Sequence, residues 1–489
     1  MGKTPTKKNK VARQSSQLPN GLKVLGTSTI ARQGVFGFFW GLGHFVDAFR
    51  QPSVMAEANL ESAAHVIVFG LAVWLMMKPT STTRIALLAA FNVLEAVLAM
   101  PIMPNHKMIF FMADSAIFLS VAVFAFSNRR LLSEWFAASE PFLRLALFVT
   151  YGSATFAKLN SGWFNLELSC AVTMPEREFQ FIDDITGFEI PWSTFWFMPF
   201  FVAGAEMLIW LTVLIPKIRP YTLVLAVLFH LSLSLTPVSQ GLGFSFLLFP
   251  LLLLYLTDSA HHDIYRRGTR FIELLKRKNL IIPGSYLMIG FAIFMGYISL
   301  LSPEPNDREV QSFIRYIPAL ILLATLGATI IWFSMKHRNA EQVKPAIGIP
   351  SVAHLILALL VVANSFAPYI GIKTYATMTM YSNLQMENGK SNHLVIPRIP
   401  VDMMVDDQVQ VLESSNRELV NMYSAGYSLT WHEFQRYMSE DPWASVKFMH
   451  NGQTFDLDHA IDMPELVELN PLHRITGFRY VTKDPICLW

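Results

Sequence analysis

The stretch Ala154-Thr-Phe-Ala-Lys-Leu-Asn-Ser-Gly-Trp163 closes an apolar run that begins near Pro141. The run is long enough to cross a bilayer, so Lys158 stands at its rim. An ionisable group at such a place points to a functional site. The alternative is a lysine that snorkels to the head groups, as many at span ends do. The rest of the chain has to separate the two.

Of the 489 residues, 53% are hydrophobic and only 15% charged, and the mean hydropathy is +0.38; such a composition belongs to a polytopic membrane protein. A net charge of +2, with no basic stripe interleaved with aromatics, gives no footprint for nucleic acid. The two cysteines, Cys170 and Cys487, are too few for a cysteine-rich metal site. No glycine-rich phosphate loop and no HExxH or GxSxG signature occurs. The first 28 residues are polar and basic without an apolar core, so they read as a disordered tail, and the first span has to serve as the insertion signal.

Eleven candidate spans follow, near 32–48, 62–77, 84–103, 108–126, 141–158, 192–215, 220–236, 241–257, 281–301, 314–335 and 350–371. The exits of the even-numbered spans are basic: Lys78 and Arg84, Arg129 and Arg130, Lys217 and Arg219, the run Arg266 to Lys278, and Lys336 with Arg338 and Lys344. The opposite loops are poorer in lysine and arginine. The positive-inside rule then sets the N-terminus in the cytoplasm and the tail outside. The fold class expected is an all-α polytopic membrane bundle with a small α+β extracytoplasmic C-terminal domain. Its divisions are a tail at 1–28, a membrane domain at 29–260, three further spans within 261–372 and the outer domain at 373–489. In that last part Asn388-Gly389 and Asn451-Gly452 read as turns, His393 to Pro397 and Val405 to Leu412 as strands, and Glu433 to Met438 and Pro464 to Leu469 as short helices.

The intramembrane polar residues are His44, Asp47, His65, Glu95, Asp114, Lys158, Glu206, His230, His354 and Asn364. A charge in lipid costs a few kcal/mol, so these groups are expected to face the bundle interior and to be paired. Asp114 lies eight residues after His106, about two turns along the same helix face, within reach of Lys158 or His230. Its other reading is an ordinary bundle ion pair. Glu206 sits in Ala203-Gly-Ala-Glu-Met207, where small neighbours allow close helix approach. His261-His262-Asp263 has no further ligand nearby and reads as loop rather than metal site. Cys170 and Cys487 both fall on the outer face; they are either unrelated or joined in a bridge that tethers the tail to the loop beside Lys158.

The order Ala157-Lys-Leu-Asn-x-x-Trp163 after an apolar helix resembles the lysine-bearing segment of the vitamin K-dependent gamma-glutamyl carboxylases and of their bacterial relatives, the horizontally transferred transmembrane (HTTM) domain proteins. Asn105-His106 resembles their Asn-His pair, Phe229-His230 a Phe-His pair, and Gln240-Gly-Leu-Gly-Phe-Ser245 their Gly-x-Phe-Ser segment. Tyr369-Ile-Gly-Ile and Tyr381 to His393 are similar to the segment after the last span of the bacterial branch. The resemblance covers roughly residues 30–260. It implies a reduced naphthoquinone of vitamin K or menaquinol type as cofactor, with no metal. It makes Lys158 the base, with His106 and His230 as further catalytic groups. Asn105, Asp114, Trp163, Glu206, Gly243, Phe244 and Ser245 become quinone or substrate contacts. The substrate would be an exported peptide or protein reached from the plasma (inner) membrane. Only 117 residues, 373–489, follow the last span, where the carboxylase carries a large luminal domain; this puts carboxylation of a protein in question. A different class fits the same features: a non-catalytic membrane scaffold or maturation partner for an exported peptide. A transporter is a third, but no inverted repeat with broken helices is evident.

Overall fold

The computed structural model describes residues 20–49, 59–101, 103, 105–127, 134–175, 187, 191–235, 241–278, 308–340, 347–379, 381–387, 389, 391–397 and 403–487. Eleven long helices occur among them: α1 (Asn20–Phe49), α2 (Leu60–Met77), α3 (Thr82–Leu98), α4 (Asn105–Ser127), α5 (Trp135–Ala157), α6 (Met198–Thr212), α7 (Arg219–Leu233), α8 (Gly241–Leu253), α9 (Asp258–Arg277), α10 (Arg308–Lys336) and α11 (Val352–Phe366). Their starts follow local chemistry. The Asn59 side chain caps α2 by accepting from Ser62 N at 2.8 Å, and Pro199 and Pro220 stand in the first turns of α6 and α7, where a missing N–H costs nothing.

Segments of three helices, Leu60–Met77, Lys107–Phe126 and Ile317–Lys336, are long and apolar enough to cross a membrane by length and composition. The pair α8 and α9 would make a fourth, but the chain bends by 116° between them. The ninth expected span, 281–301, lies outside the described residues, as do Arg129, Arg130, Asn388 and Gln240. The run after α8, expected to be a loop, is helical because its apolar residues recur at helical spacing between the basic ones. His261 and Asp263 are buried in its first turns: His261 Nδ1 bonds the Thr257 carbonyl at 3.0 Å, and Asp263 accepts from Arg266 and Arg267.

α1 runs against α2, α8 and α9. Gly41 permits this approach, since a Cβ there would lie 3.0 Å from the Ala72 carbonyl oxygen of α2. The bundle core is one continuous set of buried apolar side chains, from Phe36 and Trp40 through Phe110, Phe136 and Leu147 to Phe246 and Phe249. It also takes in Ala376 and Met378. The start of the expected outer domain thus belongs to the bundle.

The tail has its own core around Val409, Phe434, Met438 and Phe448. Strands β1 (Gln408–Ser414), β2 (Leu429–Thr430), β3 (Val446–His450) and β4 (Gln453–Leu457) form an antiparallel sheet in the order β2-β1-β3-β4. Helices α12 (Arg417–Ser424), α13 (Trp431–Glu440) and α14 (Pro464–Val467) accompany it. Asn451 and Gly452, at φ 50° and 74°, make the two-residue turn between β3 and β4 that their types favour. His393 makes only an isolated bridge, to Asn160, where a strand was expected. Cys170 and Cys487 are disulfide-bonded, with Cα atoms 4.9 Å apart, and so join the loop after α5 to the end of the tail.

Candidate functional site

α5 presents Tyr151, Thr155 and Lys158 at i, i+4 and i+7, hence along one face. All three are buried, Lys158 at 3% exposure, so its ammonium does not reach toward head groups. α6 supplies the counter-charge. Lys158 Nζ lies 3.1 Å from Glu206 Oε1 and 2.9 Å from Oε2, with Ala203 and Ala205 beside Glu206 keeping the helices close. The Trp163 ring centroid is 5.2 Å from the same nitrogen, near enough for its π face to favour the charge.

About 10 Å deeper along α5, Tyr151 Oη and His230 Nε2 on α7 are 2.7 Å apart. Phe244 on α8 lies with its ring 5.3 Å from His230, and Gly243 is buried on the same helix. Ser245 Oγ meets Ser234 Oγ at 2.8 Å and donates to the Gly241 carbonyl at 2.7 Å, closing the end of α7 onto α8. Among the buried polar atoms without a hydrogen-bond partner are Thr155 Oγ1 on α5, Trp210 Nε1 on α6 and His230 Nδ1 on α7.

The rest of the lysine motif is a knot between bundle and tail. Asn160 Nδ2 donates to the carbonyls of Ala157 (2.7 Å) and Ser382 (2.5 Å), and its Oδ1 accepts from Trp163 N at 2.8 Å. Trp163 Nε1 donates to the Pro199 carbonyl at 2.9 Å, which fixes the start of α6. His393 Nε2 bonds the Phe156 carbonyl at 2.9 Å, and Asn383 Nδ2 reaches both Leu168 O and Pro485 O. Nearby on the chain, Lys373 is buried with Nζ 3.1 Å from Asn364 Oδ1, and burial draws its ammonium down to about 8.

Asp114 belongs to another cluster. It bonds Trp40 Nε1 at 2.9 Å and Asn92 Nδ2 at 2.7 Å and lies 3.0 Å from His44 Nε2. This corrects its expected pairing with Lys158 or His230: α1 and α3, not α5 and α7, turn polar groups toward that face of α4. One layer away, Glu95 holds both His65 Nδ1 (2.9 Å) and Lys107 Nζ (2.7 Å). Asn105 and His106 are the first residues of α4, and their side chains lie outside the described residues. An apolar cleft of about 370 Å³ between α3, α4 and α11 is lined by Val93, Phe118 and Leu360 and contains none of these polar groups.

Sequence reading singled out Lys158, Glu206 and His230, which the helices bring to one side of the bundle. It passed over Tyr151 and Lys107. A tyrosine in an apolar helix carries no charge signal, and Lys107 stands next to a loop where lysine is common. Among the described residues no group of three or more His, Cys, Asp or Glu is arranged to hold a metal ion. No family model matches the chain, and neither a curated protein nor a solved structure matches it.

Chemically, the pair is a buried lysine and carboxylate that can exchange a proton, with an imidazole and a phenol two turns away. Buried pairs of this kind cost desolvation and add little net stability.

Proposed function

We propose that the chain is a membrane enzyme related to the HTTM and gamma-glutamyl carboxylase group, using Lys158 as a base toward a reduced naphthoquinone at the outer face of the plasma membrane. In this reading about eleven spans cross the bilayer, with the N-terminus cytoplasmic and the tail extracytoplasmic. The observation that carries it is the pair of unpartnered buried atoms, Thr155 Oγ1 and His230 Nδ1, on the walls that hold Lys158 and Glu206. Buried polar atoms are nearly always satisfied, so in this reading these two would bond a ligand oxygen. When bound, the quinol supplies reducing equivalents that dioxygen consumes. Glu206 takes the ammonium proton, which leaves Lys158 as a free amine able to accept one from a hydroxyl. Tyr151, 2.7 Å from Nε2, would hold the His230 ring and leave Nδ1 for a ligand. Trp163 and Phe244 would flank a flat ring. His106 would assist from the head of α4, and Asn105, Gly243 and Ser245 would line or support the quinone site, while Asp114 stays with Trp40, His44 and Asn92.

The test is oxygen uptake by purified protein given reduced menaquinone. Uptake is expected with the native chain and absent with Lys158→Arg, because arginine stays protonated. Full activity in the arginine variant would sink the base assignment.

One observation favours a second reading, a scaffold or maturation partner for an exported peptide. Asn160 and Trp163 spend their hydrogen bonds fastening α6 and the tail, a role that needs no chemistry. A native protein without quinol-dependent uptake supports that reading.

A further inference from the structure

α8 is buried nearly all round, and the chain then bends by 116° into α9. The first half of α9 is fastened to the bundle. A Cβ on Gly34 of α1 would lie 2.6 Å from Tyr265 Cε2, so the glycine makes room for that ring. Asp263 draws in Arg266 at 3.1 Å, Arg267 at 3.2 Å and Lys336 at the end of α10. Three cations around one carboxylate hold its pKa well below the usual range and leave the cluster positive.

The second half is different. From Arg266 to Lys278 every side chain but Thr269 and Leu275 is exposed. Phe271, Ile272 and Leu274 are 60%, 46% and 49% exposed. At helical spacing Phe271, Ile272 and Leu275 continue the face on which Ile264 and Tyr265 meet the bundle. Between Ile264 and Lys278 stand six basic side chains against the single acid Glu273.

We propose that the second half of α9 lies along the membrane surface and binds anionic phospholipid head groups. A helix with a Phe-Ile-Leu face and an arginine face, leaving an apolar helix at a steep angle, matches an interface better than bulk water. The charge excess selects anionic over zwitterionic lipid. Arg32 pairs with Glu140 at 3.2 Å and Asp258 at 3.4 Å, which sets the start of α9 at the N-terminal end of α5, the end away from Lys158. The inference rests on the membrane reading but not on the quinone chemistry.

The test reconstitutes the full chain in nanodiscs of phosphatidylcholine, alone or mixed with phosphatidylglycerol, and follows amide hydrogen exchange. Exchange across residues 266–278 is expected to be about tenfold slower in the mixed discs, with salt reversing the gain. Arg270→Gln/Lys276→Gln/Arg277→Gln leaves the Asp263 cluster intact and is expected to erase the difference between discs. Phe271→Ser/Ile272→Ser is expected to speed exchange in both. Equal exchange in the two compositions overturns the proposal, and so does protection that persists in detergent, since a protein face would then cover the helix. A chain that does not enter discs at all overturns the membrane reading along with it.

Discussion

The two ends of α5 each bury a glutamate with a cation, and they differ in what the cation is. At the start of the helix Glu140 holds Arg144 at 2.5 Å and Arg32 at 3.2 Å. Arg144 Nε also donates to the Leu254 carbonyl at 3.0 Å, and Tyr255 Oη donates to Arg144 O at 2.8 Å. Arginine keeps its charge at any ordinary pH, so both cations of this cluster are fixed. At the far end Glu206 holds a lysine, Lys158 Nζ lying 2.9 Å from Glu206 Oε2. Buried atoms without a hydrogen-bond partner occur at both ends, Thr155 Oγ1 and His230 Nδ1 near Lys158 and Arg32 Nε and His261 Nε2 near Glu140. One end is an arginine pair; in the proposed reading the other is where a proton moves.

Substitutions test that contrast. Arg144→Met would leave Glu140 paired with Arg32 and is expected to cost about 3–5 kcal/mol, seen as a lowered melting temperature in detergent. A neutral result would mean that the arginine pair is not structural. Opening the disulfide with Cys170→Ser/Cys487→Ser is expected to cost roughly 2–4 kcal/mol, read as earlier proteolysis of the tail. Retained protease resistance would shift the tethering to Asn383 and Asn160. Asn160→Ala removes the acceptor for Trp163 N and the donor to two carbonyls, an expected loss of roughly 2–3 kcal/mol. If it abolished quinol-dependent uptake without touching the melting temperature, Asn160 would belong to the chemistry and not to the knot.

The smallest effect belongs to the tail. His432 stacks on His473 with ring centroids 3.7 Å apart and meets Thr476 Oγ1 at 2.8 Å. Burial, and then the charge of His473, hold His432 down to about 4. The folded form therefore keeps the ring neutral where the unfolded chain would protonate it. Stability from this source is complete above about pH 6.5 and declines as pH falls toward about 4. Hydrogen exchange in α13 is expected to quicken between those values, while α5 is unchanged. His432→Gln should flatten the dependence.

Much of the helical framework was legible because it rests on local chemistry. Runs of apolar residues marked the long helices, Asn59 and Pro199 their starts, and Asn451-Gly452 the hairpin. For Cys170 and Cys487 the sequence left two readings open, unrelated or bridged, and the structure has the bridge. The α8–α9 bend was missed because basic residues masked a helical period. A strand at His393 was expected from composition, but its backbone instead serves the Asn160 knot.

The sequence by itself determined that this is a helical, membrane-type chain with a small mixed tail, and that Lys158, Glu206 and His230 are costly groups to bury. Periodicity, capping and desolvation are properties of a few neighbouring residues. Only the tertiary structure decided the partners. Glu206, 48 residues from Lys158, became its counter-ion, while Asp114 went to Trp40, His44 and Asn92. Burial demands a partner for each charge, but every carboxylate in the bundle meets that demand equally well until the helix faces meet.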